Sequence, residues 1–449
     1  MTAVISFAAL FASIFLVQMG SGSLGPLDAI AASARGFTAR EIGLMGSAHF
    51  AGFLVGCFLA PRLIGNVGHS RVFAAAAAIG AVGALLHPVL EGPYYWAALR
   101  VLTGIAIATA YTVIESWLQA KTPNRIRGRV YGIFRMVDLG GQITAQAVVA
   151  VLDPLSFAAY NIVAMFCCLC LLPLALSTRA APATTEAPRL RPAAAWRLSP
   201  TAMAAVLVAA LSAAAFRMVG PVFALGYGLG AGGVALFLAS GMLGGALAQL
   251  PVGWLADRFD RRRVLIGTSL LAVPACALLA HGIGAPDPTT DPPILMLCLG
   301  SALFGATAFP LHSVATTYAN DFAPADFIVD LNASIIFFFT LGAIAAPLVA
   351  AETIAVAGLG AMFDLIAIAH LSLVGFALYR ASRRPGAAPS APYAYTPRTS
   401  MVLARLFRAR PSEETDNGST EDRRPRPAQH PDDAAPATGE TADRQRSPK

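Results

Sequence analysis

Residues 131–146 read YGIFRMVDLGGQITAQ, and Arg135, Asp138, Gln142 and Gln146 stand there between stretches rich in Ala, Val, Leu and Phe. At about 100° per residue along a helix, Tyr131, Arg135, Asp138, Gln142 and Gln146 fall within a stripe of about 80° and share one face. A guanidinium three residues from a carboxylate can pair with it. Such a face could exchange protons at the carboxylate, while an arginine holds an anionic group or tunes the carboxylate's hold on its proton. The competing reading is a buried network that locks neighbouring helices together. Arg100, Thr103, Tyr111 and, slightly rotated, Glu115 form a similar face on the apolar run 94–118. Taking a rise of about 1.5 Å per residue, Glu115 and Arg135 differ in depth by about one turn, so the two can meet. Arg100 lies nearer the other end, level with Gln146. Gln18 and His49 are further candidates for the same interior. Arg217 either binds an anionic ligand or reaches outward to the membrane surface. Gln249, Asp330 and Asn332 add little, and Asp364 and His370 read as packing groups.

The elements that must position these groups are membrane-spanning helices. The chain has 449 residues, 56% of them hydrophobic and 13% charged, against about 25% charged in soluble domains. Apolar runs near 4–26, 43–61, 72–90, 94–118, 129–152 and 156–178 precede a polar Pro- and Ala-rich stretch at 179–199. Others follow near 201–228, 231–254, 264–284, 293–317, 328–350 and 357–379. Runs of about 20 apolar residues cross a bilayer as helix. The expectation is an all-α polytopic membrane protein with twelve transmembrane helices in two sets of six. An arginine or aspartate at the bilayer centre costs about 2.5–3.5 kcal/mol, so the stripes must face protein or water rather than lipid. The first run has no basic segment before it and reads as a retained span.

Alternate loops carry Arg62 and Arg71; Lys121, Arg125, Arg127 and Arg129; Arg179, Arg189, Arg191 and Arg197; Arg258, Arg261, Arg262 and Arg263; and Arg380, Arg383 and Arg384. The opposite loops carry only Arg35 and Arg40. The positive-inside rule makes the first group cytoplasmic, along with both termini. Loop YANDFAPAD dissents, with Asp321 and Asp326 and no basic residue. From about 381 the chain is polar and too poor in apolar residues to bury a core, so disorder is expected. MVLARLFRAR within it reads either as a short basic helix on the inner leaflet or as plain tail.

Several functions are disfavoured. The six cysteines all lie in apolar runs and suggest neither a metal site nor a disulfide framework. There is no Walker loop, HExxH or GxSxG. GLGAGG at 228–233 lacks the βαβ context of a nucleotide fingerprint. No enzyme, ATP-driven pump, metal or other cofactor is expected. The net charge of +7 sits mostly in loops and tail, where it speaks of membrane orientation, not nucleic acid.

Residues 245–265, GALAQLPVGWLADRFDRRRVL, resemble the loop signature of the major facilitator superfamily at Gly253, Leu255, Ala256, Asp257, Arg258, Arg261, Arg262 and Leu265. Asp260 stands where the signature has its second glycine. The corresponding loop of the first half, PRLIGNVGHSRVF at 61–73, keeps Gly68 but has Gly65 in place of the acid. RVLTGIAIATAY at 100–111 resembles the family's fourth-span motif, with Thr103 for Gln and Ala106 for Gly. ESWLQAKTPNRIRGRVYGIF, with VGHSRVFA upstream, is similar to the YcaD-like branch. The resemblance spans about 5–380.

It implies two pseudo-symmetric six-helix bundles, at 1–178 and 200–380, joined by a cytoplasmic linker at 179–199 and followed by the tail 381–449. They would surround a midplane site opening alternately to either side. The function implied is secondary transport of a small molecule, coupled to protons, with export slightly favoured, by a monomer in the plasma (inner) membrane. An uncoupled facilitator and a transporter-fold sensor or scaffold are the alternatives. The matched fourth-span motif associates Arg100 with proton coupling. In the family pattern Asp257 contacts the start of a helix in the opposite bundle, here near Gly128 and Arg129. Asp257 with Arg258 and Arg127 or Arg129 is then expected to latch the outward-open state, Glu115 being a second anchor for those arginines. Asp321, Asp326 and Asp330 facing Arg62 and Arg71 would be a latch of reversed sign.

Overall fold

The computed structural model describes residues 7–122, 127–176, 190–284, 286, 289–324 and 326–383, and only the backbone of 119 and 127–129. Arg125, Arg179, Arg189 and Arg384, the side chains of Arg127 and Arg129, and the stretch MVLARLFRAR lie outside the described residues. The first half contains α1 (Ala8–Ala34), α2 (Ala39–Val67), α3 (His69–Leu86), α4 (Pro93–Lys121), α5 (Arg127–Val151), α6 (Phe157–Leu169) and α7 (Leu171–Ala175). A short α8 (Pro192–Leu198) leads into the second half. That half contains α9 (Pro200–Gly226), α10 (Ala231–Arg258), α11 (Arg261–Ala277), α12 (Ile294–Ala308), α13 (Leu311–Asn320), α14 (Ile328–Ala357) and α15 (Ala361–Arg383). Helices α6 and α7 make one span, as do α12 and α13, while α11 continues through a π-turn at Leu278–Gly282.

Among the described residues, eleven spans are long and apolar enough to cross a membrane. The twelfth is α5, which has the length but carries Arg127, Arg129, Arg135 and Asp138. It is the helix of the polar stripe. The first span reaches further than its apolar run suggests. It continues through Pro26 to Ala34 and so brings Asp28 into the membrane region.

Local signals explain the helix ends. Thr38 and Glu41 form a capping box on α2: the Glu41 N–H donates to Thr38 Oγ1 at 3.3 Å and the Thr38 N–H donates to the Glu41 carboxylate at 2.7 Å. Gly68 holds φ at 87° in the turn between α2 and α3, a conformation that favours glycine. In the second half the equivalent turn uses Asp260, whose Oδ1 accepts the Arg262 N–H at 2.9 Å and caps α11. The departure from the family signature is therefore a helix cap.

The two halves repeat one close crossing. Helix α2 meets α4 where Gly52 lies against the Val101 backbone and Gly104 against the His49 carbonyl. Helix α10 meets α12 where Gly244 lies against the Ala302 backbone and Gly305 against Gly241. A side chain at any of these would drive into backbone. Gly104→Val should lower stability by about 1–3 kcal/mol or more through overpacking. It would be read as a lower melting temperature and a smaller monodisperse fraction in detergent; an unchanged melting temperature would show that the crossing can yield.

The bundles meet through α1 with α9, α2 with α14, and α5 with α10. The face carrying the basic loops is called inner below, and the other outer. Toward the outer end, Gly43 lies on Pro347 and Ala351, and Gly46 on Met218 and Pro347. Arg40 closes this edge with a two-point fork on Glu352, Nε to Oε2 at 2.6 Å and Nη2 to Oε1 at 2.8 Å. Deeper, Phe53, Cys57 and Ala108 pack with Ala333 and Ile336.

Candidate functional site

Asp138 is buried on α5, at 3% exposure. Its Oδ1 accepts Gln18 Nε2 of α1 at 2.7 Å and the Tyr111 hydroxyl of α4 at 2.5 Å. Its Oδ2 accepts Gln142 Nε2 one turn along at 3.3 Å and lies 3.2 Å from Arg135 Nη1. The helical spacing of the stripe makes the last two contacts; α1 and α4 supply the first two. Gln142 also faces the other bundle, where its Oε1 accepts Arg217 Nη1 of α9 at 3.3 Å. One carboxylate thus ends a polar chain that crosses between the bundles. Gln146 donates to the Gly22 carbonyl at 3.4 Å, and its Oε1 has no partner among the described residues. Glu115 is fully buried on α4, within electrostatic reach of Cys57 on α2.

Arg100 belongs to a second cluster, which sequence reasoning missed apart from Arg100 itself. Its Nη1 lies 3.6 Å from Asp28 Oδ2 of α1, and both side chains are almost fully buried. The same Asp28 oxygen is 3.1 Å from His87 Nε2 at the end of α3. His87 Nδ1 lies 2.6 Å from the Gly83 carbonyl oxygen. A carbonyl can only accept, so Nδ1 carries a hydrogen. The imidazole stacks on Tyr160 at 5.7 Å and meets the Trp96 edge at 5.4 Å, which shuts the cluster off. The missed signal was an acid and a histidine at the ends of apolar runs, on α1 and α3, away from the matched arginine on α4.

The gate residues divide. Asp257 lies 3.6 Å from Arg261, one turn on. Arg261 turns into its own bundle, pairing with Asp321 and donating to the Ala256 carbonyl at 3.3 Å. Arg262 Nε donates to the Tyr318 hydroxyl at 3.1 Å. Gly253 is buried on α10, and the Arg258 guanidinium sits 5.4 Å from the Trp254 ring. Asp321 is taken by Arg261, Asp330 lies 3.9 Å from Arg191, and Arg71 and Asp326 make no ion pair among the described residues. Asp321 thus pairs within the second bundle, and Asp330 faces the segment that leads into it. Asp364 pairs with His281 at 2.8 Å, and His370 lies 3.1 Å from Ser212 Oγ, both within the second bundle.

Twelve spans in two repeated bundles, with buried ion pairs in the first and a polar chain from it to the second, define a multi-pass membrane protein of the transporter class. The chain belongs to the Major Facilitator Superfamily, whose family model matches residues 10–240 and 202–412. It is 26% identical over 316 residues to the uncharacterized MFS-type transporter YcaD of Escherichia fergusonii, covering 68% of this chain and 78% of that one. It is 25% identical over 313 residues, with the same coverage, to the uncharacterized MFS-type transporter Ent638_1421 of Enterobacter sp. strain 638. In fold it resembles the nucleoside transporter NupG, with a TM-score of 0.69 at 15% identity over 84% of this chain and 99% of that one. It also resembles a bacterial homologue of the human lysosomal transporter Spinster, solved inward-facing and unoccupied. There the TM-score is 0.63 at 14% identity, over 90% of this chain and 97% of that one.

Proposed function

We propose that the chain is a secondary transporter carrying a small molecule across the plasma (inner) membrane by alternating access, coupled to protons, with Asp138 as the exchanging group. The observation that carries this reading is the chain Asp138–Gln142–Arg217. It joins a buried carboxylate of the first bundle to a guanidinium of the second, so the charge state of Asp138 is felt where the bundles must part. Gln18 and Tyr111 donate to Asp138, and Arg135 lies beside it; a proton on Asp138 would take up one of the acceptor positions and loosen the set. The experiment is proton movement in proteoliposomes with an internal pH dye, driven by pooled metabolites and drug-like compounds. Uptake of labelled compound with no pH change would favour an uncoupled facilitator, and silence in both would favour a sensor or scaffold.

Alternating access sets opposite expectations for the two edges. The Arg40–Glu352 fork holds the outer edge shut, so Glu352→Gln should raise labelling of cysteines placed in the outer half. Asp257 is proposed to latch the inner edge against the start of α5, so Asp257→Asn should raise labelling from the inner face. Unchanged labelling from the corresponding face would remove that residue from the gate.

A further inference from the structure

The short helix α8 is seated on the inner end of α14. The Arg191 N–H, just before α8, donates to Ser334 Oγ at 3.1 Å. The Arg191 guanidinium lies 3.9 Å from Asp330 Oδ2 and 5.7 Å from the centre of the Phe327 ring. Further along, Trp196 meets Phe338 with ring centres 5.8 Å apart, and Ala195 is fully buried. At about 100° per residue, Phe327, Asp330, Ser334 and Phe338 fall within a stripe of about 80° at the start of α14. A different face meets the first bundle. Ala333 and Ile336 pack on α2 and α4, and Pro347 and Ala351 on α2; these four centre about 130° round the helix from the first stripe. Gly342, which lies on Ala210 and the Leu207 carbonyl of α9, marks a third face.

The direction in which α14 would leave α2 therefore runs between α8 and α9. Helix α9 backs α14 at Gly342, and α8 stands behind its inner end. Pro347 lies within α14 and removes the hydrogen bond to the Ala343 carbonyl, so the helix can bend there. Residues 328–346 thus form an arm with a weak joint at one end and α8 behind the other. The contact with α8 is light. The Arg191 side chain is 59% exposed and Trp196 40%, and an ion pair so exposed contributes little. A contact of this kind can open locally while both bundles stay folded.

We propose that α8 is a wedge that holds the inner arm of α14 against α2, and that this seam opens toward the inner face only when α8 gives way. For its consequence this rests on the alternating-access reading above: the segment leading into the second bundle then also sets how readily the bundles part. The wedge itself is a matter of packing, and its test needs no substrate.

The chain carries its own reporters. Cys57 is buried in the α2–α14 seam with Ala333 and Ile336, and Cys276 is buried on α11, away from that seam. The full-length protein is purified in detergent with Cys167, Cys168, Cys170 and Cys298 replaced by alanine. Labelling of Cys57 and Cys276 by N-ethylmaleimide is followed by mass spectrometry. Arg191→Ala combined with Trp196→Ala should speed labelling of Cys57 about fivefold or more, the scale of one exposed ion pair and one aromatic contact. Cys276 should label at its former rate. Arg191→Cys combined with Ser334→Cys, placed where amide and hydroxyl already meet at 3.1 Å, should bridge under mild oxidation with little movement. In the bridged protein Cys57 should label no faster than in wild type. After reduction it should label faster, because Arg191 is gone. Equal acceleration at Cys57 and Cys276 would mean a general loosening and would overturn the wedge. Unchanged labelling of Cys57 without Arg191 and Trp196, a cysteine pair that does not bridge, or fast labelling of Cys57 in the bridged protein would overturn it too. A Cys57 response as expected, with no flux in proteoliposomes, would sink the transport reading and leave the wedge standing.

Discussion

Asp28→Ala is expected to cost about 3–5 kcal/mol, because it strands the buried Arg100 guanidinium without its carboxylate. The same change removes the acceptor facing His87 Nε2. The observable is a large fall in melting temperature and in folded yield from detergent-solubilised membranes. Adding Arg100→Met should recover most of the loss, since the pair would then be replaced by apolar bulk instead of being broken. If Asp28→Ala melts like wild type, the carboxylate is not the counter-charge the geometry makes it. If the double variant fares no better than the single one, the cost comes from the contact with His87.

The second large effect separates function from folding. Asp138→Asn keeps an oxygen for Gln18 and Tyr111, but turns an amide toward Arg135 in place of a charge. A stability loss of about 1–3 kcal/mol is expected, that of weakening a buried polar contact. Coupled transport should disappear altogether, because the side chain no longer titrates. Substrate-triggered pH change in proteoliposomes should fall to the empty-liposome level while the purified protein stays monodisperse. A pH change of wild-type size in this variant would move proton exchange to another carboxylate. Asp28, the other buried aspartate of the first bundle, would then come first.

What could be read in advance follows the range of the physics involved. Hydrophobic runs of bilayer length report the spans because each helix satisfies its own backbone. The polar face of α5 was visible because Arg135, Asp138 and Gln142 recur with the helical period, and the Arg135–Asp138 contact needs nothing from outside α5. The loop signature around Asp257 was equally local. Asp28 was hidden because Pro26 and Asp28 resemble the end of a span, whereas the helix continues to Ala34. His87 was hidden because it lies inside the apolar run 72–90 with nothing local to mark it, and its partner lies on another helix. The contacts of Asp138 with Gln18 and Tyr111 join α5 to α1 and α4, which depth counting along single helices does not reveal. The Gln142–Arg217 contact depends on how one half is set against the other, which no pattern within a single helix encodes.

The glycine crossings set the mechanics of opening. They fasten α2 to α4 and α10 to α12, and α2 and α10 are also helices by which each bundle touches the other. A strut fastened in this way cannot slide alone, so displacement at one end is delivered to the far end as leverage. The 29 residues of α2 make an arm of about 43 Å. A tilt of roughly ten degrees about its middle swings each tip by about 4 Å, in opposite directions. Two such arms tilting apart widen a passage at one face by about 8 Å, enough for a small solute, and narrow the other face in the same stroke.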